Sequence, residues 1–334
     1  MQFGVAITAM LQQPTSEDMA KRLDDALERV RLARELGFSF VAMGQHYLTQ
    51  PYQMLQTVPV LARVAAEVPD MGLLATIVLP LHHPVDVAEQ FATLDIISRG
   101  KAILSVALGY RDEEFNAFSV DRRTRAGRFE EALTLLRRLW TEESVTFHGR
   151  FFQLEGARMT LRPVQKPHPP IWVAANNDVA IQRAARLGLP WYINPHAAFD
   201  TVQRQVEMYR QTSLASGHPV PSRLPIHREM YIAPDRESAF QDAAVFLGGK
   251  YNAYAQWGQD RALPGQERFG TSFNELAQDR FIVGSPQDAL EAVGRFTSLG
   301  ISHMTLRMQW PGMAPAMGAR SMRLFAKEVM PHFS

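Results

Sequence analysis

His46 follows an apolar run, Phe38 to Met43, that begins after a helix stop at Gly37, and polar residues appear only at its C-terminal end. A continuous apolar run of this kind suits a parallel strand covered on both faces. Barrel enzymes place their chemistry at the C-terminal ends of such strands, and an imidazole there can move a proton near neutral pH. A satisfied structural histidine is the alternative reading. Ala174-Ala175-Asn176-Asn177-Asp178 joins a strand to a helix and would offer backbone N–H groups at a positive dipole end, which is an anion site. Plain capping by Asn177 or Asp178 is the simpler reading of those residues alone. Gly109, in Leu108-Gly109-Tyr110, would let backbone approach a flat ligand or serve as a turn glycine. His82 and His83 are adjacent and cannot both point into one site from an extended segment, so no metal is expected. The chain has no GxGxxG or GxxxxGK[ST] segment, which disfavours dinucleotide and P-loop folds.

At 334 residues and 46% hydrophobic content the chain can bury a large core. Its 35 basic and 34 acidic residues give a net charge of +1 with no long single-sign run, so neither nucleic acid nor a membrane surface is an expected partner. The absence of cysteine removes disulfides, thiolate nucleophiles and Cys-based metal sites. No apolar run reaches the ~20 residues of a membrane span. Met1 to Ile7 reads as a first strand and not a signal peptide, so a soluble, cytoplasmic protein is expected.

Strand and helix patterns alternate along the chain. Strands are predicted over 3–8, 38–46, 71–79, 102–108, 171–174, 191–193, 226–233 and 301–307. Helices are predicted from a Ser16 cap to Gly37, and over 52–68, 85–98, 122–140, 178–187, 199–216 and 236–257. Two more are predicted from Ser285-Pro286 and over 315–329. Residues 141–170 read as a surface excursion with a hairpin turning at Gly149, and 258–271 as a mobile loop. Eight strands with interleaved helices and no composition shift predict one α/β domain over 1–334. It would be a (β/α)8 TIM barrel with insertions after helix four and strand seven. A doubly wound open sheet is the alternative.

The chain resembles the luciferase-like flavin-dependent oxidoreductases, the group that includes bacterial luciferase. The resemblance rests on blocks in the right order over about residues 1–307. They are Met1-Gln2-Phe3-Gly4, Gly37-Phe38 to Gln45-His46-Tyr47, Leu79-Pro80 to His83-Pro84, Leu94 to Lys101, Gly109-Tyr110 to Phe115, Pro169 to Ala174 and Val283-Gly284-Ser285-Pro286. It implies a (β/α)8 barrel with FMN across the C-terminal mouth. His46 would act on a flavin–oxygen adduct, and Ala75-Thr76, Gly109-Tyr110 and Ala175-Asn176-Asn177 would contact the flavin, with the last holding its phosphate. It also implies a non-proline cis bond at Ala75-Thr76. Leu108 stands where luciferase has a phosphate-binding arginine, which implies weaker flavin binding and reduced flavin delivered by a separate reductase.

The implied reaction is oxygenation of a small organic substrate by reduced FMN and O2 through a C4a-(hydro)peroxyflavin. Candidate pocket walls are Tyr47, Phe115 and Trp191, with Met43, Tyr192, Trp257 and Trp310, and Tyr47, Tyr110 and Trp191 rank highest because they fall at strand ends. Arg228 needs a partner if buried, either Glu229 or a ligand anion. The resemblance also implies a homodimer through the second and third helices, whose Ala62, Ala65, Ala66, Ala88 and Ala92 would permit close approach, and core packing within the barrel explains those alanines equally well. Deazaflavin-dependent hydride transfer and a non-catalytic flavin-binding relative are the competing readings.

Overall fold

The computed structural model describes residues 1–256, 263 and 269–333. Eight parallel strands close into a barrel: β1 (Gln2–Ala6), β2 (Phe40–Gly44), β3 (Gly72–Val78), β4 (Ala102–Ala107), β5 (Ile171–Ala175), β6 (Trp191–Ile193), β7 (Pro225–Ile232) and β8 (His303–Arg307). Each pairs with the next, and β8 pairs with β1. Around them lie α1 (Met19–Glu35), α2 (Thr57–Glu67), α3 (Pro84–Ile97), α4 (Arg125–Thr141), α5 (Asp178–Arg186), α6 (Phe199–Ala215), α7 (Arg236–Gln256), α8 (Pro286–Ser298) and α9 (Pro315–Glu328). Among the described residues, no helix is long and apolar enough to cross a membrane.

Strand alternation divides the core in two. Outward residues such as Val41, Leu73, Ala75 and Val173 pack against the helices, while Phe40, Ala42, Leu74, Trp172 and Tyr192 form a separate cluster inside the barrel. Small residues make room for this inner plug: a Cβ on Gly4 would lie 2.2 Å from the Phe40 ring. His303 packs its ring edge-on against Trp172. The interior is therefore filled low down and open only above Ala42, Ala174 and Tyr192, which floor the cavity described below.

Several boundaries differ from the sequence reading. The cap of α1 is Asp18, whose carboxylate accepts from the Ala20 and Lys21 N–H groups, and Ser16 lies in the turn before it. The second helix starts at Thr57 because Tyr52–Met54 pairs with the strand Gln12–Pro14, which claims backbone groups a helix would need. Short helices Asp112–Ala117 and Phe273–Ala277 and the strand Ile282–Gly284, paired to β7, were not predicted. The excursion contains the hairpin Val145–His148 with Gln153–Ala157, turning through 149–152 and not at Gly149 alone. Glu131 on α4 stitches that turn down by accepting from the Arg150, Phe151 and Phe152 N–H groups. The loop expected over 258–271 falls mostly outside the described residues.

Gly4→Ala should lower unfolding free energy by about 1–3 kcal/mol through overpacking against Phe40. Gly249→Ala, in open space on α7, should be neutral or stabilising by up to about 1 kcal/mol. Urea denaturation of the two variants checks the contrast.

Candidate active site

The β2 strand delivers His46 to the C-terminal mouth. Its exit is pinned by Thr8, whose hydroxyl accepts from the Gly44 N–H at 2.9 Å, and by Gln45 N–H donating to the Thr76 carbonyl. Beyond the histidine, buried Arg111 donates to the Tyr47 and Leu48 carbonyls at 2.6 and 3.0 Å. The His46 Nδ1 lies 3.0 Å from Oε1 of Glu114, a side chain with 0% exposure, and the same oxygen accepts from the Tyr47 N–H at 2.9 Å. Burial alone would raise the Glu114 carboxyl, but His46, the Tyr47 N–H and Arg111 outweigh it and hold the group below its ordinary range. An ionised carboxylate only accepts hydrogen bonds, so Nδ1 must carry the proton. In the neutral ring Nε2 is then the nitrogen with the free lone pair, on a residue that lines the cavity.

That cavity encloses about 640 Å3. Ala6, Ala42, Gly44, Thr76, Ala107, Gly109, Ala174 and Ala175 give part of its lining small side chains, which suits a flat ring system. Gly109 sits at φ +77°, and a Cβ there would meet Val78 at 2.6 Å and Phe115 at 3.0 Å. Burial holds the Tyr110 hydroxyl protonated far above its ordinary range, and its ring stands edge-on to His46.

At one side the β5–α5 turn brings Asn176 and Asn177 to the cavity beside Arg122 and Arg125. The Asn177 side-chain oxygen caps α5 by accepting from the Ala180 N–H at 2.9 Å. Gln205 on α6 fixes the turn by donating to the Asn176 carbonyl and to Asp178. Arg125 donates to the Arg122 carbonyl and, among the described residues, forms no ion pair, so its charge is available to an anion. Partial burial, then Arg122 and Arg183, push its guanidinium below the ordinary value, which is the direction a bound anion would reverse. The donor set fits a phosphate, and the small-residue wall beside it fits a flavin ring.

The other side is formed by Asn194, His196, His227, Tyr254 and Arg307. Arg307 and Lys250 both pair with Glu229, and Trp310 Nε1 donates to the second Glu229 oxygen at 2.7 Å. Burial would raise Glu229, but these cations hold it below the ordinary carboxyl range. Burial first, then neighbouring cations, push His196 and His227 well below the usual imidazole value, so both are neutral.

Of the residues expected at the site, His46, Thr76, Gly109, Tyr110, Ala175, Asn176 and Asn177 come together on this cavity. Ala75 faces out into the helical shell, as alternation with inward Thr76 requires. The Ala75-Thr76 bond is trans: the cis bonds among the described residues are Gln50-Pro51 and Lys166-Pro167. Both residues stay in unbroken register with β2 and β4. Trp191 also faces out, donating to the Ala175 carbonyl and packing on Tyr209, while its neighbour Tyr192 faces in. Phe115 lies beneath Gly109, buried against Val78 and Leu81, and does not line the cavity. Tyr47 is half-buried outside the lining, packed at a tilt against Phe118, with its hydroxyl accepting from Gln45. Trp310 serves Glu229, and Trp257 lies outside the described residues. Arg228 does not pair with Glu229: it donates to the Asn194 and Ala197 carbonyls and covers Phe296. Glu114, Arg125, Asn194, His227 and Arg307 were not singled out. A period-two reading of β7 and β8 would have found His227 and Arg307, but the others depend on loop and helix orientation.

A TIM barrel whose mouth carries a carboxylate-held histidine, a phosphate-compatible turn and a ring-sized cavity has the parts that a phosphorylated ring cofactor needs. Residues 1–303 match the model of the Luciferase-like monooxygenase family, to which the chain belongs. It is 26% identical over 318 residues to an FMNH(2)-dependent dimethylsulfone monooxygenase of Pseudomonas putida, covering 89% of this chain and 85% of that one. It is 24% identical to an F420-dependent glucose-6-phosphate dehydrogenase of Microbacterium testaceum, covering 90% of each. The solved monooxygenase RslO1 of Streptomyces bottropensis superposes with a TM-score of 0.85 at 27% identity over 100% of both chains.

Because the folded Glu114 carboxyl titrates below its unfolded value, its stabilisation is present above about pH 4.3 and is lost as pH falls through the folded value. Glu114→Gln should therefore be less stable than the parent by about 1–3 kcal/mol at neutral pH, with the gap closing in acid. Urea titrations at both pH values measure it.

Proposed function

We propose that the protein is an FMN-dependent monooxygenase. The observation that carries this reading is His46, with Nδ1 held by ionised Glu114 and Nε2 the basic nitrogen of a cavity-lining ring. Reduced FMN bound in the cavity would activate O2, place one oxygen atom on the substrate and leave the other as water. The chain's own residues do the rest. Arg125 and the N–H groups of the Asn176-Asn177 turn hold the phosphate. Small residues from β2 to β5 receive the ring, and Tyr110 helps close the site to water. His46 Nε2 takes up and returns a proton while Glu114 steadies the imidazolium that forms. Arg125 from α4 also supplies the charge that Leu108 lacks. The exposed Ile96 and Ile97 on α3 support a homodimer through α2 and α3, and delivery of reduced flavin by a separate reductase remains part of the proposal.

Anaerobic titration with reduced FMN, followed by rapid mixing with oxygenated buffer, tests the reading. Reoxidation in at least two resolved phases is expected, with the first intermediate phase shortened in His46→Ala. Single-phase reoxidation in both proteins would overturn it. The F420 reading keeps a foothold in Arg122 and Arg125 at the rim, which suit an acidic cofactor tail as well. Binding of F420 in preference to FMN would establish that reading instead.

Arg125→Ala should weaken FMN binding by about ten-fold, the equivalent of one charge-assisted contact, and leave riboflavin binding unchanged. Fluorescence titration with the two flavins makes the comparison.

A further inference from the structure

The β6–β8 side of the cavity holds three buried side-chain nitrogens with no partner among the described residues. Asn194 Nδ2 and Arg307 Nε are donors in every state, and His227 Nε2 is one in the tautomer that carries its proton there. Asn194 is 7% exposed, and its Oδ1 accepts from the His196 and Ala197 N–H groups at 2.8 and 3.1 Å. That fixes the amide, so Nδ2 must point away from those N–H groups, and it is unpartnered. Arg307, 7% exposed, uses Nη1 on Glu229, while its Nε is buried and unpartnered. His227 stacks on Tyr192 with the rings 6° from parallel, and its Nε2 is likewise buried and unpartnered. All three residues line the same cavity.

An unsatisfied buried donor costs about 1–3 kcal/mol, so the Asn194 and Arg307 donors on one side of a single cavity, joined by His227 when its Nε2 carries the proton, call for an acceptor. Arg307 and Lys250 share the single carboxylate of Glu229, and burial together with Arg307 pushes Lys250 down to about 7, so the excess of positive charge here is partial. An anionic ligand beside the pair would favour the charged form of Lys250. Tyr192 supplies a flat wall beside the donors, and its hydroxyl is occupied by Thr305 at 2.8 Å. The wall is thus apolar toward a ligand ring.

We propose that this is a carboxylate-binding subsite, in which an organic acid accepts from Arg307 Nε, Asn194 Nδ2 and His227 Nε2. The carboxylate is the anchor, and the remainder of the molecule extends across the cavity toward His46. That the acid is the substrate oxygenated here rests on the FMN monooxygenase reading, whereas the subsite itself does not. Asn194, His227 and Arg307 are binding residues in this assignment, and Glu229 is a positioning residue that aims Arg307.

Calorimetric titration of the purified chain with benzoate and with neutral benzamide, each with and without FMN, tests the subsite. Benzoate is expected to bind at least about ten-fold more tightly than benzamide, as one charge-assisted contact requires. Asn194→Asp keeps the acceptor for the His196 and Ala197 N–H groups but turns the free donor into a negative charge. It should weaken benzoate by more than about ten-fold and leave benzamide nearly unchanged. His227→Phe keeps the stack on Tyr192, removes Nε2, and should weaken benzoate selectively even if the Asp variant fails to fold. Equal binding of the two probes, no benzoate binding, or full benzoate affinity in both variants would overturn the proposal. Benzoate binding without FMN binding would leave the subsite standing and remove the oxygenase reading.

Discussion

The buried carboxylate of Glu114 is the constraint on which the mouth of the barrel depends. One oxygen receives His46 and the Tyr47 backbone, and Arg111 lies 3.6 Å away while gripping the two carbonyls that follow. These groups come from the β2 exit and the β4 exit, which no ladder hydrogen bond joins at this height. An ion at zero exposure holds them because its removal would leave the Tyr47 N–H, the imidazole N–H and the Arg111 charge without this acceptor, although its second oxygen has no partner among the described residues. The same carboxylate decides which imidazole nitrogen is basic, so a structural tie between two loops is also a chemical instruction.

A second buried carboxylate does parallel work across the cavity. Glu229 gathers Arg307, Lys250 and the Trp310 indole, and so presents Arg307 to the interior. The two arrangements divide the cavity between the side that carries His46 and a cationic side, with the Asn176-Asn177 turn and Arg125 providing a third region suited to phosphate. The inner plug of Phe40, Leu74 and Trp172 sets the depth at which all three meet.

Much of the fold was legible because the parallel strands are short apolar runs and the helices carry their own stops. Gly37, Gly188 and Gly300 all take positive φ after a helix, as a C-terminal stop requires. The resemblance to a known family supplied the expectation of a flavin and of a proton-handling role for His46, which position alone left open. Elements whose existence depends on pairing were less visible: Tyr52–Met54 is a strand only because Gln12–Pro14 lies beside it. At the site, aromatic size was a poor guide. Trp191 and Phe115 are large and near strand ends, yet one falls on the outward phase of its strand and the other under a glycine turn. Glu114 was invisible because its partner is 68 residues away and its helix is six residues long.

The most direct test of the account is a nitrogen–proton correlation spectrum of histidine-labelled protein, with His46→Gln identifying the signal, recorded with and without FMN. The account predicts one imidazole protonated at Nδ1 and bare at Nε2, lost in the variant and shifted by FMN. A His46 ring protonated at Nε2 alone, or one that saturating FMN leaves unmoved, would contradict it.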